Sequence, residues 1–196
     1  MRRLLPALAT TAASVAVFRQ FLVWAQARPG AMLDDAILRR LAPADCSTLI
    51  FVVLYSMALW TLLQLRRDIE RVAAALYAYS ALTWMRLATI YLFPLSPPAD
   101  MVSLRDPFLR AFFDGREITK DLFFSGHVAT AVLLILLVRG ARTRILFAAA
   151  AAAVAAMVLV QHVHYAVDVA AAPVFGWLAY RLGERFPKQI SRRHPV

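Results

Sequence analysis

Apolar stretches long enough to cross a bilayer recur along this chain with only short connections between them, and that recurrence restricts the fold more than any other feature. A helix needs about 20 mainly apolar residues to cross a hydrocarbon core of about 30 Å, and about six stretches approach that length. They run from Leu5 to Ala25, Thr48 to Leu65, Val72 to Phe93, Leu122 to Val138, Ile145 to His164, and Val167 to Leu182. Membrane strands would instead show segments of about ten residues with alternating polarity. The run from Ala148 to Val160 is almost continuous Ala, Val, Leu and Met, and small residues of that kind let helices approach closely. The expected fold is therefore all-α: one domain over residues 1–196, an integral membrane bundle of about six transmembrane helices.

Composition narrows the function classes. Hydrophobic residues make up 61% of the chain and charged residues 17%, against about 45–50% and about 25% in an ordinary soluble domain. Mean hydropathy is +0.62. Disorder, collagen, a coiled coil and a water-soluble enzyme are excluded, and Cys46, alone, closes no internal disulfide. The formal charge of +10 is not gathered into a basic arm of the kind that binds nucleic acid, so no nucleic-acid partner is expected. In a membrane chain the cations mark the cytoplasmic loops.

One set of span ends holds thirteen Lys and Arg, including Arg2, Arg3, Arg66, Arg67, Arg139 and Arg142, and the other holds seven, including Arg28, Arg105, Arg110 and Arg116. The richer side is expected to be cytoplasmic, with both termini inside and the loops after spans one, three and five outside. Arg19 and Gln20 interrupt the first span. Residues 1–27, with Arg2-Arg3, an apolar stretch and Ala25-Gln26-Ala27, imitate a secretory signal peptide. Removal of that segment would leave the later topology unchanged. Between Pro29 and Ser47, Leu33, Ile37, Leu38 and Leu41 recur at near-helical spacing, as in a short surface helix. The basic tail from Gly183 to Val196 is expected to be a solvated cytoplasmic end near anionic lipid. Ala- and Arg-rich usage points to a bacterial inner membrane.

Ionisable groups at membrane depth are costly, which makes them functional suspects, and His127, His162 and His164 all fall at predicted membrane edges. A single such histidine is usually an interfacial side chain bonded to a carbonyl. Their arrangement argues for more. His127 opens a span running inward and His164 closes one running outward, so both reach the outer surface. Asp168 follows His164 by four residues, a spacing that lets its carboxylate accept a hydrogen bond from the imidazole and leave the other ring nitrogen free as nucleophile or base. Ser125-Gly126-His127 stands at a helix start, where free N–H groups form an anion site, though a Ser cap beside Gly is also common in purely structural helices. Arg86, Lys120 and the helix start at Ser125 and Gly126 are the candidate donors to an anion, the competing reading for Arg86 being interfacial snorkelling.

These residues carry a resemblance. Lys120-Asp121-Leu122-Phe123-Phe124-Ser125-Gly126-His127, followed by Gln161-His162-Val163-His164-Tyr165-Ala166-Val167-Asp168-Val169, resembles the two catalytic motifs of the sphingomyelin synthase family, the lipid-transferase branch of the PAP2-like superfamily. Arg86-Leu87-Ala88-Thr89 before Pro94-Leu95-Ser96-Pro97-Pro98 is similar to its third-helix motif, and Leu33-Asp34 through Pro43, Asp45 and Ser47 resembles its first outer loop. The resemblance implies a six-helix enzyme, needing no metal or cofactor, that moves a phosphorylated head group from a membrane phospholipid to a lipid hydroxyl of the ceramide or diacylglycerol type through a phosphohistidine. It implies His164 as nucleophile, Asp168 as its orienting group and His127 as acid and then base. Asp121, His162, Tyr165 and Thr89 are secondary candidates from the same motifs.

The chain also departs from the pattern. Met157 and Val158 stand where the superfamily's lipid phosphatases carry Ser-Arg, which favours the transferase branch, whereas Ala166, Val128, Lys120 and Pro173 replace residues expected in that branch. Three rival readings stay open: a lipid phosphatase with water as acceptor; a Zn²⁺ site built from His127, His162, His164 and Asp168; and a non-enzymatic membrane protein or transporter.

Overall fold

The computed structural model describes residues 4–105 and 112–193, with side chains through residue 185. Arg2, Arg3 and Arg110 of the charge count lie outside the described residues. Among those described, the chain forms six α-helices: α1 (Leu4–Ala25), α2 (Ser47–Leu65), α3 (Ile69–Leu92), α4 (Gly126–Leu137), α5 (Ala141–Val160) and α6 (Ala166–Arg193). Three of them, α1, α2 and α5, are long and apolar enough to span a bilayer, and α4 is a shorter apolar helix. Leu49, Leu59, Trp60, Ile145, Leu146 and Val174 are exposed on the outside, as expected where lipid rather than water is the solvent. The protein is an integral membrane helical bundle.

Polar residues inside the bundle are satisfied locally or used as glue. Thr11 Oγ1 donates to Ala7 O at 2.9 Å and lies 3.0 Å from Ser80 Oγ, joining α1 to α3. Such contacts between helices are among the few directional attractions available in lipid. Asp68 caps α3 by accepting from Arg71 N at 3.2 Å and also pairs with Arg139 at 2.8 Å, tying together the two turns at that end of the bundle. Helix α3 packs along both α1 and α6, α6 packs on α4, and α4 packs on α5. The core between them is built from Ile50, Leu82, Phe124, Ala129, Val154 and Val158.

Four boundaries differ from the sequence expectation, two of them because a tertiary partner takes a backbone group that a helix would have used. The fourth span begins at Gly126 rather than Leu122: Phe123 O accepts from Thr89 Oγ1 at 2.7 Å and Ser125 N donates to Asp168 O at 3.1 Å. The fifth ends at Val160 rather than His164, since the carbonyls of Val160 and Gln161 accept from Ala44 N and Val102 N at 3.1 and 3.0 Å. His162 then takes a left-handed φ of 54°. The surface helix expected near 33–41 is only the 3₁₀ turn Leu38–Arg40. There Asp35 Oδ1 accepts from Ile37 N and Leu38 N, a local bond that competes with helix, and Leu38 is buried against Leu122 and Tyr165. The last span does not stop at Leu182. Helix α6 continues to Arg193, and a Cβ on Gly183 would lie 2.5 Å from Ala74 O of α3, so only glycine permits that contact.

Candidate active site

The start of α4 and the turn after α5 meet at one end of the bundle. Their rings face each other there, with the His127 and His164 centroids 5.9 Å apart at an interplanar angle of 64°. Phe51 of α2 closes on His127 edge-on at 5.8 Å. His164 is buried, and its Nδ1 lies 3.4 Å from Oδ2 of the fully buried Asp168. The same carboxylate oxygen accepts from Tyr165 N at 3.0 Å, and the Asp168 carbonyl accepts from Ser125 N at 3.1 Å. Asp168 thus joins both motifs: its side chain faces the imidazole and its backbone holds the strand of chain leading to His127. Nδ1 faces the Asp168 carboxylate without a hydrogen-bond partner among the described residues, and Nε2 is the ring nitrogen turned away from it.

Arg86 of α3 completes the constellation. Its guanidinium pairs with Asp121, stacks over Phe18 at 5.0 Å and presses on the start of α4: a Cβ on Gly126 would lie 2.2 Å from Arg86 Cζ. Gly126 is therefore required for close approach, and the group it admits in this structure is the arginine. Arg86 Nε, Asp121 Oδ1 and Ser125 Oγ are buried without a hydrogen-bond partner among the described residues, an unusual concentration of unsatisfied polar atoms. Replacing Gly126 with Ala should push the guanidinium away and lower kcat/KM by about 10²-fold. Steady-state assays at an unchanged melting temperature check this, and wild-type kcat/KM would contradict it.

Arg86, Asp121, Gly126, His127 and His164 line one cavity of about 850 Å³. Its buried walls are apolar, from Leu22, Leu54 and Leu82, and its exposed edge carries Arg105, Arg116 and Glu117. A chamber with a charged rim and an apolar shaft accommodates an amphiphile.

The other sequence candidates stand apart from this cavity. Lys120 donates to the Arg28 carbonyl. Thr89 Oγ1 bonds to the carbonyls of Arg86 and Phe123. Tyr165 OH donates to Ser96 O at 2.9 Å, and burial first, then the nearby carboxylates Asp168 and Asp35, raise its pKa. Ser125 and His162 are buried outside the cavity wall. Among the described residues no three His, Cys, Asp or Glu side chains converge as a metal-binding group, so the ligand set of the zinc reading is not assembled. Sequence reasoning missed Phe18, Phe51 and the rim residues Arg105, Arg116 and Glu117. They carry no motif, and only the packing brings them here.

Residues 120–184, a third of the chain, match the family model described as PAP2 superfamily C-terminal. The matched segment contains His127, His164 and Asp168. No curated protein matches the chain. The match supports placement in the PAP2-like superfamily, with an activity of the phosphatase or phosphotransferase type, and the all-helical bundle agrees with it.

Proposed function

We propose that this protein, with a PAP2-type C-terminal segment as premise, is a lipid phosphotransferase resembling sphingomyelin synthase. The reading takes a phospholipid as donor and a lipid hydroxyl of the ceramide or diacylglycerol type as acceptor. One observation carries it: two imidazoles 5.9 Å apart, one backed by a buried carboxylate, opening with Arg86 into a single amphiphile-sized chamber.

In the first half-reaction His164 Nε2 attacks the phosphorus, forming an N–P bond as the P–O bond to the glycerol oxygen breaks. His127 gives its proton to that departing alkoxide. In the second half, neutral leaving lipid is replaced by the acceptor, His127 takes the hydroxyl proton, and the new oxygen displaces His164. An alkoxide leaves poorly, so a positioned acid contributes about 10²–10⁴-fold. Charge developing on the phosphoryl oxygens is met by Arg86, whose carboxylate partner Asp121 it can exchange for phosphate. Asp168 fixes the tautomer of His164 and stabilises the positive charge that grows on its ring.

The site faces the extracytoplasmic side of a bacterial inner membrane, with both termini cytoplasmic, on the strength of the cation asymmetry. Purified protein in detergent, given a panel of phospholipids with and without ceramide or diacylglycerol, should yield a new phospholipid and free diacylglycerol by mass spectrometry. Release of the phosphorylated head group into water together with diacylglycerol, and with no new phospholipid, would instead favour the phosphatase alternative. No change in any phospholipid would end the enzymatic reading. In sealed right-side-out vesicles, externally added substrate should suffice.

A further inference from the structure

We propose that Asp35 and Gln161 are positioning residues, two anchors on opposite sides of the turn presenting His164 that set the direction of its imidazole without touching it. The inference rests on the reading of His164 as the nucleophile.

Residues 161–165 belong to no helix, so α5 and α6 alone do not fix the ring. On one side Gln161 is fully buried. Its Oε1 accepts from Cys46 N at 3.1 Å, and its Nε2 donates to Ser47 Oγ at 2.8 Å and to Ser103 O at 3.3 Å. Ser47 Oγ in turn donates to Asp45 at 2.6 Å and accepts from Arg105 N at 3.0 Å. One amide therefore joins three separate pieces of chain, two of which belong to the loops before α2 and after α3. On the other side Asp35 Oδ2 accepts from Ala166 N, the first residue of α6, at 2.6 Å, while Oδ1 accepts from Ile37 N and Leu38 N at 2.9 and 3.3 Å. Partial burial works to raise the Asp35 pKa, but these N–H donors and the Arg39 charge outweigh it and hold the carboxyl below its ordinary range. It is an anion at the positive end of α6, the end that also carries Asp168.

Between the anchors His162 keeps its left-handed backbone. A non-glycine residue stays there only where the surroundings over-determine it. Removing an anchor lets that φ relax, and His164, two residues on, turns away from Asp168. At 3.4 Å Nδ1 already lies beyond normal hydrogen-bond length from Oδ2, so a further turn of the ring separates the two. Asp35 and its partners lie off the cavity, so its loss should spare substrate affinity, whereas Gln161 also holds Ser103 and, through Ser47, Arg105 on the cavity wall.

The test is nitrogen-15 NMR of histidine-labelled full-length protein in micelles, with His164 assigned by its loss in the His164→Asn variant, alongside single-turnover labelling. Wild type should show one His164 tautomer, protonated at Nδ1. Asp35→Ala and Gln161→Ala should show exchange between tautomers and slow phosphoenzyme formation by about tenfold or more, with KM within about twofold in Asp35→Ala. Asp35→Asn, which keeps one acceptor oxygen, should recover most of both signals. Wild-type His164 shifts in both alanine variants would overturn the proposal. So would KM and kcat falling together in step with the melting temperature, the signature of a merely structural role. If the tautomer signal moves as expected but wild type forms no phosphoenzyme, the positioning holds and the functional reading fails.

Discussion

Replacing His164 with alanine abolishes turnover and any trapped phosphoenzyme while leaving the bundle folded. The loss should be total because the proposed mechanism gives the nucleophile's role to His164 alone: His127, across the gap at 5.9 Å between ring centroids, serves proton transfer in it. Alanine also leaves the carboxylate of Asp168 buried without its imidazole partner, and a stranded buried charge is destabilising. His164→Asn separates the two effects. The amide offers Asp168 a donor but carries no nucleophilic nitrogen, so it should keep the wild-type melting temperature and be equally inactive. Measurable turnover in His164→Asn, above about one thousandth of wild type, would remove His164 from the nucleophile's role.

Asp168→Asn gives the second largest expected effect, a fall in kcat of about 10²–10⁴-fold, or about 2.7–5.5 kcal/mol of transition-state stabilisation. One oxygen of Asp168 accepts from Tyr165 N and lies 3.4 Å from His164 Nδ1. Asparagine can keep oxygen at that position, preserving the turn, yet it cannot supply the negative charge that balances a ring acquiring positive charge. If the amide nitrogen faces the ring instead, it selects the wrong tautomer. In both cases the chemical step suffers and binding does not, so KM should stay within about twofold. A matched loss in kcat and in lipid affinity would show that Asp168 acts on substrate binding rather than through His164.

Much of this was legible in the sequence, and the part that was not has a common cause. The all-helical membrane bundle followed from hydropathy alone, because in lipid every backbone group must be satisfied within the element. The convergence of His127 and His164 followed from chain direction: one motif opens a helix, the other follows the end of the next, and both therefore reach one end. The i,i+4 spacing placed Asp168 on His164. What spacing could not reveal is where a backbone amide or carbonyl leaves its helix for a partner elsewhere. Phe123 O bonded to Thr89 and Val160 O bonded to Ala44 N moved two boundaries, and both lie beside the site. The same blindness applied to Lys120, whose charge alone recommended it for phosphate and whose ammonium goes to the Arg28 carbonyl. Asp35 and Gln161 escaped attention because each acts through backbone contacts with residues more than a hundred positions away.

Substrate identity enters the structure only through the cavity. Its exposed edge carries Arg105, Arg116 and Glu117, and its buried wall is lined by Leu22, Leu54 and Leu82, which suits a charged head group on an apolar body without distinguishing among head groups. The transfer and hydrolysis readings share the first half-reaction entirely and part only at the species that resolves the intermediate.

The central claim is therefore best met at that intermediate. Protein mixed with a phospholipid labelled in its phosphate, quenched in alkali within one turnover and digested, should yield a single labelled peptide by mass spectrometry. The account predicts the head-group phosphate on His164, stable in base and lost in acid. Label on His127 or on any other residue, or steady turnover with no labelled peptide at the shortest quench times, would contradict it.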